Sequence, residues 1–262
     1  MATKNLINGK NSNEIALSDR AIHYGDGLFE TIAIQNKQIL CFDEHLNRLE
    51  KGCKKLKIPI PNRNIIKNEI STLIETSDRA VIKIIISRGQ GGRGYKIPED
   101  IEPTRIISLH PWPSYSVNYS TSGIKTKVCD FRYSQNSKLA GIKHLNRIEQ
   151  VLARSEWTDS TILEGIVMDS DNYVIEGTMS NIFGVKKNVF YTPVIKFSGI
   201  EGIMRNEILK LLKENEEKYK VKKITLKELL NFEEIFICNS IFGIWSVRQI
   251  LKKKFLFGKK TK

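Results

Sequence analysis

The sequence is poor in the features that mark a disulfide frame, a metal site or a membrane span. Its four cysteines (Cys41, Cys53, Cys129, Cys238) stand far apart with no Cys-X-X-Cys spacing. A disulfide scaffold or zinc site is therefore not expected, and reduced thiols in the cytoplasm are the default. The four histidines are equally scattered, so no metal constellation emerges. No apolar stretch approaches the roughly 18–20 residues that a span requires. Met1-Ala2-Thr3-Lys4-Asn5 has no apolar core behind it, so neither a signal peptide nor a membrane partner is expected. Acidic residues are the minority sign, 29 against 42 basic, leaving a formal charge of +13. That charge raises the question of nucleic acid. The excess is mostly lysine, spread along the chain among many Ile and Asn residues, as a compositional bias would give. The six lysines between Lys252 and Lys262 read as a solvated end. No nucleic-acid partner is expected; a basic surface suits capture of an anionic small molecule.

What is present is a mixture of short strand and helix patterns. A chain of 262 residues, 40% hydrophobic and 27% charged, suits one large soluble domain or two modest ones. Residues 5–8 and 14–17 read as strands about an Asn8-Gly9 turn. Gly25-Asp26-Gly27 allows a tight turn before an apolar strand over 28–34, with a hairpin at Asn36-Lys37. Asp43 is placed to cap a helix in which Leu46, Leu49, Cys53 and Leu56 recur at helical spacing, and Pro59 and Pro61 end it. A second helix runs through Ile65, Ile66, Ile70, Leu73 and Ile74. Strands over 80–87 and 105–110 flank the loop 88–98. Composition then turns to Pro and Ser, which divides the chain into an N-terminal α/β domain (1–112), a linker (113–122) and a C-terminal α/β domain (123–262). The second half opens with a strand over 124–129, and a helix with Ile148, Val151 and Leu152 on one face follows Lys143. Strands come next at 162–168, 173–176, 182–185 and 189–191. A helix over 204–214 follows Gly202, and strands at 234–238 and 243–247 close the domain. Mixed elements in both halves make this an α/β (α+β) two-domain protein.

Lys143 carries the first chemical suggestion. A lone lysine among 42 basic residues is ordinarily a solvated surface group. This one follows a Gly-Ile turn and precedes an amphipathic helix, a place where an amine is half-buried and imine chemistry at neutral pH becomes accessible. Thirty-three residues later, Glu176 ends a strand before Gly177. It is either an exposed turn acid or the carboxylate that keeps a pyridine nitrogen protonated. An imine-forming lysine followed by a lone acid on a strand end is what a pyridoxal 5'-phosphate site needs. Gly202-Ile203-Met204-Arg205 is a plain helix start or a phosphate cradle made of backbone N–H groups and the helix dipole. Arg48 is a helix-surface arginine or a second phosphate contact. Ser87-Arg88-Gly89-Gln90-Gly91-Gly92-Arg93-Gly94-Tyr95 mimics a glycine-rich nucleotide loop. It lacks a terminal Gly-Lys-Ser/Thr and joins two strands, so a mobile loop bringing Arg93 to a substrate carboxylate is the better reading.

Together these segments resemble the fold-type IV pyridoxal phosphate enzymes, the family of D-amino-acid and branched-chain aminotransferases and of aminodeoxychorismate lyase. The resemblance runs from Ser18-Asp19-Arg20 through Gly25-Asp26-Gly27, Arg48, Lys143, Glu176-Gly177 and Asn181 to Gly202-Ile203-Met204-Arg205. Three stretches lean toward the lyase branch: 87–95, Gly141-Ile142-Lys143-His144-Leu145-Asn146-Arg147-Ile148-Glu149-Gln150, and Gly202-Ile203-Met204-Arg205. The family's aminotransferases usually carry Thr where Met204 stands, and its branched-chain enzymes carry small residues in place of His144-Leu145-Asn146. Cys238-Asn239-Ser240 departs from their Thr-bearing version but keeps a hydroxyl. The resemblance implies a cofactor in the cleft between two α/β domains, and a cytoplasmic homodimer. It implies Lys143 as the imine-forming residue and Glu176 facing the pyridine nitrogen. Arg48, Ile203, Met204 and Ser240 would surround the phosphate, with Arg93 and Thr31 on the substrate side. The implied activity is conversion of 4-amino-4-deoxychorismate to 4-aminobenzoate and pyruvate in folate biosynthesis. The alternatives are an aminotransferase for D- or branched-chain amino acids on the same scaffold and, from another class, a basic nucleic-acid-binding protein.

Overall fold

The computed structural model describes residues 4–74, 77–116, 118–255 and Gly258. The chain forms two compact units, one running to Pro113 and including Ile142–Asn146, the other holding Ser114–Gly141 and the chain from Arg147 onward. The end of the lysine-rich tail, at 256–257 and 259–262, lies outside the described residues.

In chain order the first unit contains β1 (Lys4–Ile7), β2 (Lys10–Asn11), α1 (Arg20–Tyr24), β3 (Gly27–Gln35), β4 (Gln38–Ile39), α2 (Phe42–Leu56), α3 (Arg63–Ile74), β5 (Arg79–Ser87) and β6 (Thr104–Pro111). The strands make an antiparallel sheet in the order β2-β1-β6-β5-β3-β4. β5 is rich in isoleucine, whose branched side chains suit a pleated, half-buried surface. One face of the sheet carries Leu28, Ile32, Ile34, Ile82, Ile84, Ile86 and Ile107, all buried together with Leu46, Leu49 and Cys53 of α2 and Ile66 and Ile70 of α3. Gly52 permits the close approach of α2, since a Cβ there would stand 2.6 Å from a methyl of Leu28.

Two local expectations change, and one cap is new. The hairpin at Asn8-Gly9 forms, but its second arm is Lys10–Asn11 and residues 14–17 are not a strand. Asp43 does not cap α2; Cys41 precedes that helix in a left-handed conformation, and Asp43 and Glu44 lie in the first turn, where they complement the helix dipole. Asp19, not singled out as a cap, accepts the Ala21 N–H at 2.8 Å, and the left-handed Gly25 closes this one-turn helix before the Gly25-Asp26-Gly27 corner.

The second unit contains α4 (Asn118–Ser122), β7 (Ile124–Tyr133), α5 (Ile148–Ser155), β8 (Ile162–Asp169), β9 (Tyr173–Gly177), β10 (Asn181–Lys186), β11 (Val189–Pro193), α6 (Ile203–Glu214), β12 (Tyr219–Lys222), β13 (Ile224–Thr225), α7 (Leu226–Leu230), β14 (Glu234–Asn239), β15 (Gly243–Ile250) and β16 (Lys253–Lys254). They form a ten-stranded mixed sheet, β12-β11-β10-β14-β15-β7-β8-β9-β13, with β16 on β15. Phe183 of β10 and Phe236 of β14 stack at 4.9 Å beneath Ile208 and Leu212, which fixes α6 against the sheet. Tyr115 and Tyr119, in the stretch read as a connector, pack edge-on against Trp245. The apolar face expected for α5 is present but outward: Ile148, Val151 and Leu152 are 65%, 58% and 46% exposed. Among the described residues no helix is long and apolar enough to cross a membrane.

Candidate active site

In the first unit the site begins with an unpaired sheet edge. β4 pairs only with the far end of β3, at Ile34 and Gln35, so the edge at Gly27–Phe29 is left for another segment. Residues 143–145 take it: the Phe29 N–H donates to the Lys143 carbonyl and the Leu145 N–H to Gly27, both at 2.9 Å. The Asn146 amide donates to the Gly25 carbonyl at 3.1 Å. Lys143 is thereby fixed on the sheet, with Nζ 4.4 Å from the centre of the Phe29 ring. Thr31 lies two residues beyond Phe29 on the same face and is half-buried.

The opposite face of β3 carries Glu30, fully buried among aliphatic side chains. Arg48 reaches it from α2 through Nε and Nη2 at 2.8 and 2.6 Å, and His45 Nδ1 lies 2.6 Å from its Oε2. Burial pushes the Glu30 carboxyl up, but the charge and hydrogen bonds of Arg48, with help from His45, outweigh it and hold the group at about 2. This two-point pairing fixes the plane of the Arg48 guanidinium. Arg93 is exposed on the loop between β5 and β6 and takes no part in the cluster.

In the second unit Glu176 is the next-to-last residue of β9 and is buried, so it is not an exposed turn acid. Its Oε2 accepts the Ile200 N–H at 2.9 Å and the Asn181 amide at 3.2 Å. Gly199 is left-handed at φ 85°, and a Cβ there would lie 3.2 Å from Glu176 Oε2 and 2.6 Å from Ile175. Two neighbours, the half-buried Arg147 and the buried Tyr133, register the acid electrostatically. Burial depresses the Arg147 guanidinium, opposed by the charge of Glu176. Burial and then Glu176 push the Tyr133 phenol up.

Asn181 links this acid to α6. A Cβ on Gly202 would stand 1.9 Å from Asn181 Oδ1, so only glycine lets the helix start there. Gly202 is extended and supplies no side-chain cap, and the first N–H groups of the helix have no acceptor within it. Ile203 and Met204 therefore present donors at the positive end of a 12-residue helix. The register Asn181↔Cys238 sets the Asn239-Ser240 turn beside the strand that carries Asn181. Asn239 shapes that turn by accepting the Ile241 and Phe242 N–H groups at 2.9 Å, and it donates to the Met179 carbonyl at 3.1 Å.

Several contributors were not found from sequence. Glu164 is fully buried and accepts the N–H groups of Gly165, Thr178 and Met179 and the hydroxyls of Thr178 and Ser180. It pins the turn between Glu176 and Asn181, and burial raises its own carboxyl. Glu30 was legible in principle, because it falls in phase with Leu28, Ile32 and Ile34 and so had to be a buried acid seeking a cation. Glu164 offered no such signal, since all but one of its partner groups lie 14 to 16 residues along the chain.

The donor set fits pyridoxal phosphate. The second unit holds a buried acceptor acid in Glu176 and a side-chain-free helix start beside it, and the first holds an amine against an aromatic ring and an oriented guanidinium. No cluster among the described residues could hold a metal ion.

The comparisons agree in kind. The model of the amino-transferase class IV family matches residues 27–250. An aminodeoxychorismate lyase of Vibrio harveyi is 36% identical over 98% of this chain and 96% of its own. A putative branched-chain-amino-acid aminotransferase of Methanocaldococcus jannaschii is 30% identical over 94% of this chain and 88% of its own. The crystal structure of a 4-amino-4-deoxychorismate lyase from Pseudomonas aeruginosa superposes with a TM-score of 0.94 at 36% identity, covering 98% of this chain and 95% of that one.

Proposed function

The chain belongs to the amino-transferase class IV family, and from that membership we propose a pyridoxal 5'-phosphate-dependent carbon–oxygen lyase that converts 4-amino-4-deoxychorismate to 4-aminobenzoate and pyruvate for folate biosynthesis. The observation that carries the reading is its 36% identity, over nearly the whole of both chains, to a relative bearing that activity. The aminotransferase relative from Methanocaldococcus jannaschii is more distant at 30%.

Lys143 would hold the cofactor aldehyde, Glu176 would face the ring nitrogen, and Arg48, the N–H groups of Ile203 and Met204, and Ser240 would hold the phosphate. The cofactor, when bound, draws electrons from the substrate carbon that bears the amine. Lys143 Nζ would take the proton from that carbon. Glu176, which accepts hydrogen bonds from the Ile200 N–H and the Asn181 amide, would face the ring nitrogen. The neighbouring carbon–oxygen bond then breaks, enolpyruvate leaves and gains a proton to become pyruvate, and the ring becomes aromatic. Aromatisation makes this step downhill, so the protein's task is positioning and deprotonation. Thr31 and Arg93 are assigned to the substrate side, Arg93 as an anion-capturing group on its exposed loop.

The protein is further proposed to be a homodimer, which fits the exposed apolar face of α5. A reducing cytoplasm fits four cysteines that form no disulfide.

The test is direct. Purified protein reconstituted with pyridoxal phosphate and given 4-amino-4-deoxychorismate should release 4-aminobenzoate and pyruvate in equal amounts. Rapid turnover of D-alanine or a branched-chain amino acid with 2-oxoglutarate, without 4-aminobenzoate formation, would replace the lyase with an aminotransferase.

A further inference from the structure

The glycine-rich loop between β5 and β6 is fastened to α1 and its flanking residues. At the base, Ser87 and Thr104 face each other across the two strands. The hydroxyls of both donate to one oxygen of the buried Asp19 carboxylate, at 2.9 and 2.6 Å. The other oxygen of Asp19 caps α1 at the Ala21 N–H. The chain entering the loop then runs beside Ser18–Arg20. The Arg20 N–H donates to the Gly89 carbonyl at 2.9 Å and the Gly91 N–H to the Ser18 carbonyl at 3.1 Å. The Ser18 hydroxyl donates to the Gln90 side chain at 2.8 Å. A Cβ on Gly91 would stand 2.9 Å from the Arg20 side chain, so glycine lets the loop pack against that stem.

The tip is held as well. Gly94 is gripped through both of its backbone polar groups. Its N–H donates to the Tyr24 hydroxyl at 3.0 Å, and its carbonyl accepts Arg20 Nη1 at 3.1 Å. The two gripping residues brace each other, with the Arg20 guanidinium 4.6 Å from the centre of the Tyr24 ring. Arg20 Nε also donates to Asp26 at 2.9 Å, and Asp26 accepts Nε and Nη2 of Arg88. The Tyr95 ring meets Tyr24 edge-on at 5.5 Å. Arg93 directly precedes Gly94 and is exposed. Its backbone is anchored while its guanidinium is left in solvent.

We propose that Arg20 and Tyr24 are positioning residues that act through Arg93. By gripping Gly94 they build the arm in place, so that capture of an anionic substrate does not have to order the loop first. This rests on the reading above, in which Arg93 captures an anionic group of the substrate. Neither Arg20 nor Tyr24 touches that substrate.

Tyr24→Phe keeps the ring, with its contacts to Arg20 and Tyr95, and removes only the hydroxyl. Tryptic cleavage after Arg93 in the native protein, followed by mass spectrometry, should quicken by about two- to tenfold. That is the effect of one net hydrogen bond where cleavage tracks the population of the open loop. Cleavage after Lys37, exposed on a distant hairpin, should not change, which separates release of the loop from general loosening. The KM for 4-amino-4-deoxychorismate should rise by about two- to fivefold at a constant turnover number. In an Arg93→Ala background the same substitution should leave KM unaltered, because nothing remains to be positioned. Arg20→Lys keeps a cation near Asp26 but lacks the planar fork that serves Asp26 and Gly94 together, and it should reproduce both effects. If that variant fails to fold, Tyr24→Phe alone decides. Unchanged cleavage after Arg93 in Tyr24→Phe would overturn the grip. Faster cleavage at a constant KM, or a rise in KM that persists without Arg93, would overturn the positioning role. Wild-type protein that binds the cofactor but makes no 4-aminobenzoate would end the lyase reading, and the cleavage rates would still decide whether Gly94 is held.

Discussion

Removing the Lys143 amine deletes the one group assigned to both cofactor attachment and proton transfer. Lys143→Ala should lose turnover and the absorption band that marks the bound cofactor; steady-state assays and a visible spectrum check both, and wild-type activity would refute the role. Glu176→Gln keeps the volume and a polar contact but removes the charge. It should retain the cofactor and slow turnover by about 10²–10⁴-fold, and an undiminished rate would assign the ring nitrogen to another partner. Glu30 acts on stability. Its carboxyl is held at about 2, well below the usual carboxylate range. A depressed acid contributes stability that is complete above about pH 4.5 and is lost as pH falls toward 2. Glu30→Ala leaves Arg48 and His45 buried without their counter-charge, which costs roughly 3–5 kcal/mol. Thermal melts should show a wide gap between wild type and variant at pH 7 that narrows toward pH 3; parallel curves across that range would exclude the linkage.

The elements differ in how far they could be read in advance. β3, β5 and α2 were legible because apolar residues repeat in their sequences at the right period, and the place of Glu176 near a strand end because Gly177 follows it. β2, α1 and α7 are too short to show a period. The docking of 143–145 on β3 depends on β4 being only two residues long, which is a property of the pairing and not of the segment itself. The start of α6 is the element whose design is most exposed to test. Gly202→Ala drives a Cβ into Asn181, displacing both the helix start and a hydrogen bond to Glu176. An anion at a helix N-terminus is worth about 0.3–2 kcal/mol. Cofactor affinity, measured by titrating the apoprotein, should therefore fall by a few-fold to about thirtyfold, and unaltered affinity would remove this helix from phosphate binding.

At the scale of the whole molecule the formal charge of +13 separates the remaining readings. A basic chain attracts any polyanion, but the two classes of anion respond differently to salt. A nucleic-acid binder that neutralises many phosphates loses affinity steeply and linearly in log–log terms, by about 10³–10⁵ between 50 and 200 mM salt for six to ten contacts. A small dianion attracted by a diffuse positive field loses only the long-range part of that attraction, because screening shortens the field from about 10 Å at 0.1 M to 3 Å at 1 M. Contacts made inside the site persist. Turnover per KM for 4-amino-4-deoxychorismate should therefore decline gently, by less than about tenfold between 0.05 and 0.5 M salt, with the change in KM and the turnover number steady. Fluorescent single- and double-stranded oligonucleotides titrated in the same buffers supply the contrast. Tight binding that collapses along the steep line, in a protein that stays colourless with pyridoxal phosphate, would transfer the charge from substrate capture to nucleic acid.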